Sequence, residues 1–281
     1  MSRVYEALQW AEEERKGKAK GKFSPKTFEE KSVLSKEEPT LKFPKRETEG
    51  LDLLAKEEGP VLMVRPETFA AEEFRKLKTQ IFLHSPRPPH SILVTSTAPQ
   101  EGKTTVAVNL ALAISQEIQK KAILIDGDLR KPSIHLEEYP NSKGLSNYLL
   151  NQTSLSEILL NSGAENLQII LAGHSNRKSA ELIGSKKMLE LLRSLRELGD
   201  DTYVVIDSAP ILSAAESTWL SKIVDGVILV VTGGRTPREF VRRAVKSIDR
   251  QKLIGAVFNE IDMKPSSYYS KYYYGYDKKQ I

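Results

Sequence analysis

Six short apolar runs constrain the fold of this chain more than anything else in it: SILVTS (91–96), AILIDG (122–127), LQIILAG (167–173), TYVVIDS (202–208), GVILVVT (226–232) and LIGAVFN (253–259). Each is nearly continuous rather than alternating, the pattern of a strand covered on both faces. Helical patterns fill the intervals at 104–118, 143–161, 185–198, 214–223 and 237–250. One more precedes them, AAEEFRKLKTQIF (70–82), with Phe74, Leu77, Ile81 and Phe82 on one stripe and prolines 86, 88 and 89 closing it. Strands alternating with helices at this spacing predict an α/β fold, a doubly wound, mostly parallel sheet with helices on both faces.

The flanks read differently. Residues 1–16 form an amphipathic helix in which Val4, Leu8 and Ala11 recur at helical spacing and Ser2 caps the first turn; so short a helix needs a surface to dock on. Residues 17–58 read as a charged flexible linker, because 20 of the 40 residues from Ala11 to Gly50 are charged and prolines stand at 25, 39 and 44. The core domain is then 59–262, followed by a tail, 263–281, that holds six of the ten tyrosines. No run approaches the ~18 apolar residues of a spanning helix, and the start lacks the apolar segment of a secretory signal. With no cysteine, thiolate metal sites and disulfides are excluded, which suits a reducing cytoplasm. The formal charge of +5 raises nucleic acid or an anionic membrane as partners, but the positive residues read as spread along the chain, with no basic block interleaved with stacking aromatics. Nucleic acid is therefore not expected.

Three motifs sit at strand ends. STAPQEGKTTVAVNLALAIS (96–115) places Gly102-Lys103-Thr104-Thr105 between a strand and a helix, the context of a phosphate-binding P-loop. Backbone N–H groups and the helix N-terminus would cradle phosphates, Lys103 would reach the terminal ones, and the Thr104 hydroxyl would take a Mg2+ site. The first glycine of GxxxxGK[ST] is Thr97 here, so the pattern departs from the common form. ILIDGDLRKPSIH (123–135) delivers Asp126 and Asp128 to the carboxyl edge of the sheet, with Arg130 on the same turn, and YVVIDSAP delivers Asp207 to that edge for Mg2+. Taken singly, each has a plainer reading as a turn or cap residue; taken together and in order, they indicate a site for ATP and Mg2+.

With the tyrosine-rich tail, these motifs resemble the bacterial tyrosine kinases of capsule and exopolysaccharide synthesis, relatives of the MinD/ParA ATPases with a P-loop NTPase fold. The resemblance covers roughly residues 60–276. It implies a protein tyrosine kinase that uses ATP and Mg2+ to phosphorylate Tyr268, Tyr269, Tyr272, Tyr273, Tyr274 and Tyr276 in trans. By resemblance Asp126 orients or deprotonates the attacking hydroxyl, Asp128 and Asp207 organise Mg2+, Lys103 neutralises the transferred phosphoryl group, and Asn259 corresponds to an asparagine that contacts adenine. Gly102, Thr104, Thr105 and Arg130 complete the implied cofactor site. An ExxRxxR element that assembles ring-like homo-oligomers in the family is matched by Glu72, Arg75 and Lys78, with lysine last; a solvated charged helix face is the alternative. The resemblance further implies a cytoplasmic protein recruited to the inner face of the membrane by the tail of a membrane chain-length regulator that activates it, and a tyrosine phosphatase as a further partner. Two other readings stay open: a MinD/ParA-like ATPase switch without tyrosine phosphorylation, and a tail that acts only as a binding surface.

Overall fold

A computed structural model describes residues 63–65, 68–83, 88–136, 139–174 and 178–260. The chain divides into two units, Met1–Thr40 and Leu41–Ile281, and every described residue belongs to the second. The expected N-terminal helix, the whole of the linker and the tyrosine tail lie outside the described residues.

Seven strands form one sheet: β1 Ser91–Ser96, β2 Lys121–Asp126, β3 Leu160–Asn161, β4 Leu167–Ile170, β5 Thr202–Asp207, β6 Gly226–Thr232 and β7 Leu253–Asn259. Their order is β3-β4-β2-β5-β1-β6-β7, parallel throughout except for β3, which runs antiparallel to β4. The helices are α1 Phe69–Leu83, α2 Lys103–Ser115, α3 Leu145–Leu149, α4 Leu155–Ile158, α5 Ser179–Ile183, α6 Lys186–Arg196, α7 Ala215–Ile223 and α8 Arg238–Ser247.

Successive strand side chains point to opposite faces, so each apolar run feeds two cores. Leu93, Ile123, Ile125, Val204, Ile206, Val227 and Leu229 join one layer, which Met188, Leu191 and Leu195 of α6, Leu220 of α7 and Ala244 of α8 cover. Ile92, Val94, Leu124, Val205, Ile228 and Val230 join the other, beneath Ile81 of α1 and Val106, Leu110 and Ile114 of α2. That two-sided coverage is the physical reason the runs do not alternate. Helix α2 is buried on nearly every side. Inside it Asn109 accepts a hydrogen bond from Val64 N–H (2.9 Å) and donates to the Thr105 carbonyl (2.7 Å), tying the segment before α1 to the helix that begins at Lys103.

The helix expected over 143–161 is broken into α3, α4 and β3. Asn151 takes a left-handed conformation (φ 57°), which ends α3. The Ser154 hydroxyl and N–H both donate to Glu157 (2.9 and 2.8 Å), a capping box that starts α4 afresh. The strand expected over 167–173 stops at Ile170, and α5 had no counterpart in the periodicity.

Candidate nucleotide site

Strands β1, β2 and β5 are neighbours in the sheet and all end at one edge, so the three motifs converge there. After β1 the chain turns through Thr97–Gly102 into α2. The Glu101 carboxylate, only 4% exposed, lies inside this turn. It accepts from Thr97 N–H (2.7 Å), Ala98 N–H (2.9 Å) and the Thr97 hydroxyl (2.8 and 2.9 Å to its two oxygens), and from the Thr236 hydroxyl beyond β6. The threonine in the usual glycine place is thus a partner that holds the loop's shape. Gly102 has φ +81°, and a Cβ there would stand 1.9 Å from Asn259 Nδ2. The left-handed backbone favours glycine, and a Cβ there would also push the Asn259 amide aside. Asn259 itself donates to the Glu101 carbonyl (3.1 Å), so β7 delivers it onto the phosphate loop.

Asp126 and Asp207 are register partners across β2 and β5. Asp126 is fully buried and accepts three backbone N–H groups: Asp128 (3.1 Å), Ser133 (3.0 Å) and Ile134 (3.0 Å). Burial first, and then the Asp207 charge, push its pKa up to about 7 against those bonds. Asp207 is pushed up to about 6, again chiefly by burial, while Lys103 and the Thr104 hydroxyl (2.7 Å) pull it down. Its other oxygen, Oδ1, is buried without a hydrogen-bond partner. Asp128 accepts from Lys131 N–H (3.0 Å) and stands 4.0 Å from Lys103 Nζ. Thr105 follows Thr104 in the first turn of α2.

A magnesium ion fits this edge. Crowded carboxylates, one orphaned buried oxygen and an adjacent threonine hydroxyl form a site short of positive charge. Thr104, Asp128 and Asp207 are the donors that could hold it.

Some expected residues stand elsewhere. Arg130 turns from the phosphate loop to Glu216, whose carboxylate is 1% exposed (Nε–Oε1 2.7 Å, Nη2–Oε2 3.2 Å), and also donates to Ser179 (2.9 Å). It clamps the loop after β2 to α5 and α7. Glu72 and Arg75 pair with each other on α1 (2.7 Å), and Lys78 pairs with Glu117 behind α2. Glu101, Thr236 and Glu216 were missed in the sequence, since a buried carboxylate that gathers donors from distant loops has no periodic signature.

Residues 94–252, more than half of the chain, match the AAA domain family. The tyrosine-protein kinase YwqD of Bacillus subtilis is 34% identical over 219 residues, covering 76% of this chain and 90% of that protein. Among solved structures, the chimerical protein CapA2B2 aligns at 30% identity with a TM-score of 0.64, covering 70% of this chain and 87% of that one. The kinase domain of VpsO aligns at 32% identity with a TM-score of 0.62, covering 69% and 95%. With its phosphate loop, strand-end aspartates and parallel sheet, the chain belongs to the bacterial tyrosine-protein kinase family.

Proposed function

We propose that this chain is an ATP- and Mg2+-dependent protein tyrosine kinase that phosphorylates its own tail, Tyr268 to Tyr276, between copies, and so regulates the synthesis or export of an exopolysaccharide or capsule. The observation that carries the reading is the convergence of Lys103, Thr104, Asp128 and Asp207 at one sheet edge, with a buried carboxylate oxygen left unpartnered, in a chain of this family.

In the transfer, the phenolic oxygen of a tyrosine bonds to the γ-phosphorus of ATP, the bond to the bridging oxygen breaks, ADP leaves, and the phenolic proton passes to a carboxylate. Bound Mg2+ would supply charge neutralisation at the phosphates. Lys103 neutralises charge on the moving phosphoryl group. The carboxylate that meets the tyrosine is assigned to Asp128 rather than Asp126, which leaves Thr104 and Asp207 to hold the Mg2+. What supports this is that the oxygens of Asp126 are engaged by three backbone N–H groups and it has no exposed surface, whereas Asp128 lies beside Lys103. Asp126 then shapes the loop that carries Asp128. Gly102 and Thr105 belong to the phosphate cradle, Asn259 holds the loop from the side where a base would lie, and Arg130 acts through Glu216. The domain boundaries 59–262 and 263–281 separate enzyme from substrate segment.

Assembly into a ring through Glu72 and Arg75, recruitment from the cytoplasm to the membrane by the tail of a chain-length regulator, and reversal by a tyrosine phosphatase complete the proposal.

The test is incubation of the purified chain with Mg2+ and labelled ATP, with and without a peptide from the activator's tail, followed by mass spectrometry. Phosphate on residues 268–276, abolished by Lys103→Met, is expected. Brisk ATP hydrolysis with an unmodified tail would replace this reading with the ATPase switch.

A further inference from the structure

The excess positive charge of the chain is less evenly spread than its overall composition suggests. Residues 235–252 carry seven Arg and Lys against two acidic residues, a net +5 that equals the formal charge of the whole chain. Most of these cations lie on α8. Arg238, Arg242 and Lys246 follow one another at four-residue spacing with Arg243 beside them, all exposed. The opposite side of the helix, Val241, Ala244 and Ile248, is applied to the core. Arg242 stands 4.0 Å from Glu239, and Arg238, Arg243 and Lys246 make no ion pair among the described residues. Like charges held this closely on one face repel, so the surface favours an anionic occupant.

The chain's own tail leaves from the head of this helix. Asn259, at the end of β7, accepts from Gly233 N–H (2.9 Å), and Arg235 pairs with Glu260 (3.1 Å) just before α8 begins. From Glu260 to Tyr268 the chain reaches up to about 27 Å when extended, against about 15 Å for the length of α8. Unmodified, residues 261–281 carry four Lys against two Asp, which α8 repels. Each phosphotyrosine adds about −1.5 to −2, so two reverse the sign.

We propose that the cationic face of α8 is a docking surface for the phosphorylated tail of this chain, residues 268–276. The product of the reaction is thereby drawn off the sheet edge and held along a helix that starts beside it. This rests on the kinase reading for how the tail becomes charged, though the surface is tested without it. Three arginines in the face match phosphate oxygens with paired N–H donors. A lipid surface fits less well, because the partly exposed Phe240 and Val245 lie on opposite flanks of the buried stripe and form no apolar patch within the cationic face. Single-stranded nucleic acid fits less well too, as one ring, Phe240, stands at the flank of that face and no row of aromatic rings runs along it for successive bases to stack on.

The experiment uses the full chain carrying Lys103→Met, which keeps its own tail unphosphorylated, and a fluorescent peptide of residues 264–281 with phosphotyrosine at 272, 273 and 274. Anisotropy titration should show the phosphopeptide binding at least tenfold more tightly than the unmodified peptide, with affinity falling as salt rises. The R238Q/R242Q/R243Q/K246Q variant should lose that tenfold, while R238K/R242K/R243K keeps part of it. Equal binding of the two peptides overturns the proposal, as does undiminished binding by the glutamine variant. Tighter binding to phosphatidylglycerol vesicles or to single-stranded DNA than to the phosphopeptide overturns it in favour of those partners. No step of the titration needs kinase activity, so failure here and failure of the kinase reading are separate results.

Discussion

Glu101 is the residue on which the phosphate loop depends without its touching a phosphate. Replacing it with alanine leaves the buried Thr97 N–H and the Ala98 N–H without their acceptor, at about 1–3 kcal/mol for a stranded buried donor. Glu101→Ala is expected to raise the KM for ATP severalfold and to lower the urea midpoint, with Glu101→Gln intermediate; unchanged values in both measurements would remove Glu101 from the loop's support. Gly102 offers a sharper case, because two separate penalties meet at one atom. Gly102→Ala should abolish nucleotide binding by calorimetry, and adding Asn259→Ala should restore only part of it, since the clash is relieved but the left-handed backbone remains. The two neighbouring buried aspartates should differ when neutralised. Asp207→Asn removes a crowded charge and is expected to leave the nucleotide-free chain at least as stable at pH 8 while abolishing phosphorylation. Asp126→Asn presents an amide N–H2 to backbone donors and should destabilise by about 1–3 kcal/mol.

Among the elements, the strands were legible and some connections were not. All of β1, β2, β5, β6 and β7 lie within a residue of the expected runs: β1, β2, β5 and β6 are buried on both faces and have no choice but to be apolar, whereas β7, at the sheet's edge, leaves Ala256 and Phe258 exposed, contrary to the two-sided cover its run suggested. The 143–161 segment misled for the same reason in reverse: its leucines suit a helix, but the break is set by the backbone of Asn151 and the Ser154–Glu157 cap, which apolar periodicity does not register. At the site, Lys103, Thr104, Asp128 and Asp207 could be placed from strand ends alone. Arg130 could not, since its partner Glu216 lies 86 residues on, in the first turn of α7. That clamp predicts an asymmetry between its halves. Arg130→Ala strands a buried carboxylate, whereas Glu216→Gln leaves a half-exposed arginine that reaches water, so chemical denaturation should find the first more destabilising. The reverse order would mean that Glu216 is neutralised from elsewhere.

Over the whole molecule, two buried carboxyls with raised pKa values set a direction for stability against pH. A group raised in the folded state stabilises below its unfolded value, near 4, and that contribution is lost as pH climbs through the folded values, about 6 for Asp207 and about 7 for Asp126. Without Mg2+ and nucleotide, the thermal midpoint should therefore fall between pH 5 and 8, and Mg2+-ATP should recover more at pH 8 than at pH 5; a midpoint that rises over this window would contradict the burial of the pair. The strand order carries a different consequence, one for synthesis on the ribosome. β1 and β2 are consecutive in the chain, yet β5 lies between them, so until Thr202–Asp207 has been made β1 has no neighbour and β2 has only β4 on its far side. A nascent chain ending before residue 202 holds the complete phosphate loop and both Asp126 and Asp128, but not the strand that joins β1 to β2 and brings them together. Nucleotide binding thus becomes available only once Asp207 has emerged, and the tyrosines at 268–276 follow a nucleotide site that is already built.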